Sequence, residues 1–370
     1  MSGSWDEWVD GQLDDVRAAS RWRELRPLEG VGPEFVVPGG DRVVSFASND
    51  YLGMAGHPAV MAVCADAAGR FGAGTGSSRL IVGDRPVHHH LERTLAGWRG
   101  TEAALVFPTG YQANVAVLAT FGHGSARIVS DRLNHASIID GARLAAAEVC
   151  VYDHGDVDHA RRLVREAPGP ALVVSDSVFS MDGDVAPIAE LSTACAAEGA
   201  LLVLDDAHAV FPLPDVDPEA EVLRVGTMSK ALGSQGGFVA GRAAWIDLLV
   251  NRARSFIFTT GLSPVSAAAA ACAVAILCSE EGAGRRARLR TLIDELAPGH
   301  PTPIVPFVLG DEQAAVDASG RLLADGLLVP AIRPPTVPEG TSRLRVSLSA
   351  DHRVEDVRRL RHALDRLRPA

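Results

Sequence analysis

Lysine is almost absent from this chain. Of its 35 basic residues only Lys230 is a lysine. Position 230 thus resists the arginine bias of the whole sequence. Unlike arginine, a lysine can give up its proton and act as an amine nucleophile. Cysteine is scarce as well. Cys64, Cys150, Cys195, Cys272 and Cys278 are odd in number, scattered, and contain no C-x-x-C pair. That excludes a disulfide framework and fits unpaired thiols in a reducing compartment. An excess of positive charge is missing too. The net charge of −11 argues against nucleic acid and anionic membranes as partners. No long hydrophobic run exists. The most apolar stretch, Ala267 to Cys278, is too short to cross a bilayer and reads as an alanine-rich packed helix after Ser263 and Pro264. The first 25 residues carry Asp6, Glu7, Asp10, Asp14 and Asp15 and no apolar core, unlike a secretion signal. A cytoplasmic protein is expected.

What is present is enough for a large core. The chain has 370 residues, 47% hydrophobic and 22% charged, which suits more than one globular domain. Residues 5–25 show helical spacing of Trp5, Trp8, Val9, Leu13, Val16 and Trp22. Val43–Ala47 reads as a short strand. From about residue 100, short apolar runs at 104–107, 126–129, 148–152, 171–174, 201–204 and 237–240 alternate with helical patterns. Most of the runs lack strict alternation, as strands covered on both faces do. The pattern predicts an α/β domain with a mainly parallel sheet. After Pro264 it changes to a long helix reaching about Ala297. Then follow a strand at 304–309, a helix at 313–325, strands at 327–332 and 343–349, and a last helix at 354–367. The expected division is an N-terminal helical segment over 1–45, a large α/β domain over 46–262, and a small α+β domain over 263–370.

The chemistry concentrates around Lys230. It lies within Gly226–Gly237, beside Thr227, Ser229 and several glycines. About 25 residues earlier the apolar strand 201–204 ends in Asp205, with His208 shortly after. Ligands of α/β sheets bind at the carboxyl ends of strands. A lysine amine for a Schiff base, a carboxylate for a pyridine nitrogen and donors for a phosphate are the needs of pyridoxal phosphate (PLP). Asp205 to His208 would equally suit the start of a loop or a helix cap. Gly110 and Tyr111 follow a strand and open a helix, where backbone N–H groups and the helix dipole can face an anion. An ordinary strand-to-helix turn would look the same. His135 sits in a loop after the run at 126–129, a place that suits solvent exposure as well as a cofactor wall. The glycine-rich Phe71–Arg79 does not follow a strand, so a dinucleotide loop is excluded. His88, His89 and His90 are adjacent and point in different directions on a helix, so no metal is assigned.

In order along the chain, Phe46–Gly53, Gly74–Arg79, Asp131–Ser137, Val178–Asp184, Asp205–His208, Thr227–Gly237 and Phe256–Thr260 resemble the signatures of the α-oxoamine synthases, a family of fold-type I PLP enzymes. The resemblance covers about residues 20 to 350. It implies a large domain with a mainly parallel seven-stranded sheet, a small C-terminal domain, and a homodimer sharing its active sites. It implies that Lys230 carries PLP, Asp205 pairs with the ring nitrogen and His208 with the ring 3-oxygen. His135 would stack on the ring, Gly110, Tyr111 and Thr227 would hold the phosphate, and Ser180 would line the site. Thr260 would reach the phosphate of the neighbouring subunit. Arg345 would bind the amino acid carboxylate, with Asn49 nearby, and Arg23 and Thr336 match substrate-contacting positions. The segment Ile332–Arg345, with its double proline, points to condensation of L-alanine with a pimeloyl thioester, carried by coenzyme A or a carrier protein. Other acyltransferases of the family, pairing glycine with an acetyl or succinyl thioester or condensing an amino acid with a secondary-metabolite acyl chain, are the alternative. The chain departs from the family in a short loop Ala209–Pro214 after His208, in Asp176-Ser177 where Glu-Gly is usual, and in a trimmed segment at 297–305.

Overall fold

The computed structural model describes residues 4–367. In chain order the elements are α1 (Trp5–Ala18), β1 (Glu34–Val36), β2 (Arg42–Ser45), α2 (Pro58–Phe71), α3 (Pro86–Arg99), β3 (Ala103–Phe107), α4 (Gly110–Phe121), β4 (Arg127–Asp131), α5 (Ala136–Leu144), β5 (Glu148–Tyr152), α6 (Val157–Arg165), β6 (Ala171–Asp176), α7 (Ile188–Glu198), β7 (Leu201–Asp205), β8 (Glu221–Thr227) and β9 (Gly237–Gly241). They continue with α8 (Ala243–Arg252), α9 (Arg254–Ile257), α10 (Pro264–Leu277), α11 (Glu280–Leu296), β10 (Ile304–Gly310), α12 (Glu312–Ala324), β11 (Leu327–Leu328), β12 (Ala331–Ile332), β13 (Ser342–Ser347) and α13 (Val354–Asp365).

Seven strands form one sheet in the order β3-β9-β8-β7-β6-β4-β5. All pairs from β8 to β5 are parallel, and β9 runs antiparallel to both its neighbours. The apolar runs are strands, as their unalternating pattern predicts, because helices cover both faces. On one side Leu105, Val117, Ile128, Val203 and Val225 share a core with Phe256. On the other, Val129, Val173, Leu202 and Leu204 pack with Ile188 and Leu191 of α7. The strand β8 is not among the expected runs. Glu221 and Arg224 interrupt its apolar residues, and its accessibility varies along its length.

Two compact units emerge, residues 49–291 and residues 1–48 with 292–370. This division differs from the expected boundaries. The segment before residue 46 does not stand alone: β2 pairs in parallel with β11, and His352 Nε2 lies 2.9 Å from the Ser45 carbonyl while its ring stacks on Phe46. The boundary expected at 262 falls within α11 instead, because α10 packs against α2 and α3 of the larger unit. The helix expected to run unbroken to Ala297 is two helices, α10 and α11, bent by 78°. The first helix ends at Ala18 rather than residue 25. Ser4 caps it in a reciprocal pair with Glu7, and Ser20 takes a left-handed φ of 54° just past its end. No single helix among the described residues is long and apolar enough to cross a membrane.

Candidate active site

The carboxyl ends of β4, β6, β7 and β8, with the N-terminus of α4, enclose a cavity of about 220 Å³ in the larger unit. Gly110, Tyr111, His135, Asp205, His208, Thr227 and Lys230 all line it. The sequence scatters these seven over 121 positions, and the parallel topology collects them because each follows or ends a strand on the same sheet edge.

Lys230 follows β8 and is half-buried. Its Nζ lies 2.7 Å from His208 Nε2. The other ring nitrogen of His208 is 2.7 Å from the Tyr51 hydroxyl, which donates to Asn49 Oδ1 at 3.0 Å. The lysine amine therefore heads a relay of polar groups.

Asp205 ends β7 and is buried. Its Oδ2 accepts from Asn114 Nδ2 at 2.6 Å and its Oδ1 from the Ala207 N–H at 3.0 Å. Asn114 also bonds the Ser137 hydroxyl at 2.8 Å, which in turn lies 2.8 Å from His135 Nδ1. The acid and the histidine are thus fixed through one shared amide. Burial pushes the His135 ring below the usual imidazole range; attraction to Asp205 opposes this and repulsion from Lys230 adds to it. The shift favours the neutral ring at pH 7.

A second acid, Asp176, ends β6 directly beside Asp205 in the parallel register. It is buried, and its Oδ2 accepts from the His135 N–H at 2.9 Å. Burial first, and then the neighbouring Asp205, raise its carboxyl well above the ordinary range. Two adjacent buried carboxyls cannot both ionise cheaply.

At the opposite wall, Thr109 caps α4, its hydroxyl accepting from the Gln112 N–H at 3.1 Å. Gly110 and Tyr111 form the positive first turn of this 12-residue helix. The backbone here is packed too closely for side chains. A Cβ on Gly237 would stand 2.5 Å from Cα of Gly110, and one on Gly110 would stand 3.2 Å from Cβ of Thr227. Thr227 Oγ1 meets Ser229 Oγ at 2.7 Å. The N-terminus of a helix, a buried carboxylate and the chain's single lysine share one cavity. That donor set fits PLP.

Other expected site residues lie elsewhere. Ser180 is half-buried in the loop after β6 and Thr260 is exposed; neither lines the cavity. Asn49 does not line it, and its Oδ1 accepts from the Tyr51 hydroxyl. Arg23, Thr336 and Arg345 belong to the smaller unit. There Arg345 is buried on β13 and donates to Ser347 Oγ at 2.7 Å, while Arg23 and Thr336 are exposed. Thr336 follows a cis bond between Pro334 and Pro335. Of the adjacent histidines, His88 turns Nε2 to the Leu262 carbonyl at 2.7 Å, while its Nδ1 lies 3.7 Å from Asp84, the carboxylate that His89 also meets.

Four participants escaped the sequence reading: Tyr51, Asn114, Ser137 and Asp176. Asn114 is one helical turn beyond Gly110, on the same face. Asp176 closes an apolar run just as Asp205 does. Both signals were present in the chain.

The profile of the class I and II aminotransferases matches residues 41–364. An 8-amino-7-oxononanoate synthase from Burkholderia thailandensis is 44% identical over 376 residues, covering 95% of this chain and 95% of its own. One from Alkalilimnicola ehrlichii is 45% identical, covering 96% of each. Among solved structures, a serine palmitoyltransferase from S. paucimobilis with a bound PLP–myriocin aldimine matches with a TM-score of 0.92 at 28% identity, covering 99% of this chain and 98% of that one. An 8-amino-7-oxononanoate synthase from Francisella tularensis has the same fold, with a TM-score of 0.72 at 22% identity and coverages of 88% and 97%. The chain therefore belongs to the class I and II aminotransferase family and, within it, to the α-oxoamine synthases, PLP-dependent transferases of fold type I.

Proposed function

We propose that the protein condenses L-alanine with a pimeloyl thioester, releasing carbon dioxide and the thiol and forming 8-amino-7-oxononanoate, a step of biotin synthesis. The relatives of 44–45% identity carry that name over nearly their whole length. The observation that carries the reading is the meeting of the lone lysine amine and His208, 2.7 Å apart, in a cavity walled by Asp205.

PLP supplies an electron sink for the α-carbon of the amino acid. The chain's residues do the rest. Lys230 is the covalent anchor and, once displaced, the base that takes the α-proton. His208 accepts a hydrogen bond from that amine and can pass a proton on to Tyr51. Asp205, held by Asn114 and the Ala207 N–H, aims its carboxylate at the ring nitrogen. Neutral His135 offers a flat face to the ring. Gly110, Tyr111 and Thr227 bind the phosphate. In the smaller unit Arg345 binds the substrate carboxylate with a bidentate fork. Asn49, Arg23 and Thr336 take part in substrate binding. Thr260 serves the phosphate site of a second subunit in a homodimer, and the enzyme works in the cytoplasm.

The test is product mass. Purified protein with PLP and L-alanine is given pimeloyl thioester, as coenzyme A or carrier-protein conjugate. Parallel arms pair glycine with acetyl or succinyl thioester and L-serine with palmitoyl thioester; the last arm follows from the 0.92 match to a serine palmitoyltransferase. The pimeloyl arm is expected to yield 8-amino-7-oxononanoate and to lose it, with the visible cofactor band, in Lys230→Ala. Turnover confined to another arm overturns the substrate assignment.

A further inference from the structure

His154, just past β5, stands between the turn that carries His135 into the cavity and the loop that follows β6, the strand whose last residue, Asp176, lines it. Its Nδ1 lies 3.0 and 3.2 Å from the two carboxylate oxygens of Asp131, and its Nε2 lies 3.0 Å from Asp184 Oδ2. A carboxylate only accepts hydrogen bonds, and both ring nitrogens are donors only in the imidazolium. A neutral ring would leave one carboxylate facing a lone pair.

Each acid shapes a different loop. Asp131 is buried at the end of β4 and also accepts from the N–H groups of Leu133 at 2.8 Å and Gly155 at 3.1 Å. It thereby forms the turn that delivers His135 to the cavity. Asp184 closes the other loop, its carbonyl accepting from the Phe179 N–H at 3.0 Å while Gly183 donates to the Phe179 carbonyl at 2.9 Å. That loop carries Ser180. The Phe179 ring meets the His154 ring edge-on, with centroids 4.4 Å apart.

We propose that Asp131, His154 and Asp184 form a charged clasp joining the His135 turn to the Ser180 loop, which makes His154 a positioning residue for the cofactor site. Partial burial opposes the ring's charge. Hydrogen bonding and attraction from Asp131, and then from Asp184, outweigh it, and the net shift is upward. Asp131 and Asp184 are the charged groups facing the ring. Asp153, next in the chain, is engaged by Arg132 at 3.3 Å and His159 at 3.4 Å. A raised folded value means that the clasp is complete below the ordinary imidazole range and is lost as the pH rises through the folded value. The loops therefore loosen on the alkaline side.

The consequence for PLP rests on the proposed cofactor reading; the clasp itself does not. The experiment uses the full chain, with and without PLP, in native form and as Asp184→Asn and His154→Gln. Asp184 is half-buried, so its substitution spares folding. Three quantities are followed against pH: the imidazole titration by NMR, amide exchange over residues 131–135 and 178–184, and PLP affinity. The native ring should titrate above the ordinary range, and Asp184→Asn should lower it. Exchange in both segments should quicken about tenfold in the variants, the loss expected for one charge-assisted hydrogen bond. PLP affinity should fall about fivefold near neutral pH, and the native protein should approach the variants as pH rises. A ring already neutral at about pH 6, or exchange unchanged in both segments of both variants, overturns the clasp. A native chain that binds no PLP overturns the cofactor reading, while titration and exchange still decide the clasp.

Discussion

Asn114 shows how one uncharged amide ties two chemical groups together. Its Nδ2 serves both Asp205 and Ser137, and Ser137 holds His135. Asn114→Ala leaves the buried Asp205 oxygen without that donor, a loss of about 1–3 kcal/mol of stability. The expected outcome is a lower denaturant midpoint together with weaker PLP binding. Asn114→Asp adds a third carboxyl to the buried pair Asp205 and Asp176 and is expected to be worse than alanine, because like charges in a buried site repel. Urea unfolding and absorbance titration check both. The seven expected residues that line the cavity were legible as a set because each belongs to a contiguous motif at a strand end. Asn114 and Tyr51 were not singled out because their partners are 91 and 157 residues away. Such bonds are fixed only when the sheet order is known. Asp176 looked like a mere departure from the family pattern until β6 and β7 were seen side by side.

At the scale of elements, the close approach of β9 to the start of α4 sets the phosphate end of the cavity. Gly237→Ala places a methyl 2.5 Å from the Gly110 backbone, so one element must shift. A cost of about 1–3 kcal/mol is expected from overpacking. PLP affinity should fall more than the thermal midpoint would suggest, since the first turn of α4 moves with the strand. A thermal melt paired with a PLP titration checks the split. Another element-level effect lies in the smaller unit. His352 accepts from the Ser349 N–H at 2.9 Å and points Nε2 at the Ser45 carbonyl. Burial depresses its pKa despite those bonds. Its contribution is therefore complete above the ordinary imidazole value of about 6.5 and is lost as pH falls towards the depressed folded value. Urea midpoints of the native protein should decline between about pH 7.5 and 5.5, and less steeply in His352→Asn. The strand runs were read to within a few residues, whereas β8 was missed because Glu221 and Arg224 broke its apolar pattern. The bend between α10 and α11 and the pairing of β2 with β11 needed tertiary contacts that no local pattern records.

For the whole molecule, exposed Thr260 lies outside the cavity of its own chain. In the proposed homodimer it serves the neighbouring site. Sedimentation is expected to give twice the 38.9 kDa chain mass. Thr260→Ala should then weaken PLP binding without changing that mass, and a monomeric native protein with full PLP affinity would refute the shared site.

The scarcity of lysine extends beyond the cavity. Apart from the terminal amine, every surface of this molecule is blind to reagents that acylate amines, so crosslinking and bead attachment through lysine have nothing to grip. In the proposed holoenzyme the one internal target is shielded whenever the vitamin is in place. The extent of labelling at Lys230 would therefore count, molecule by molecule, the share of the population that has lost it.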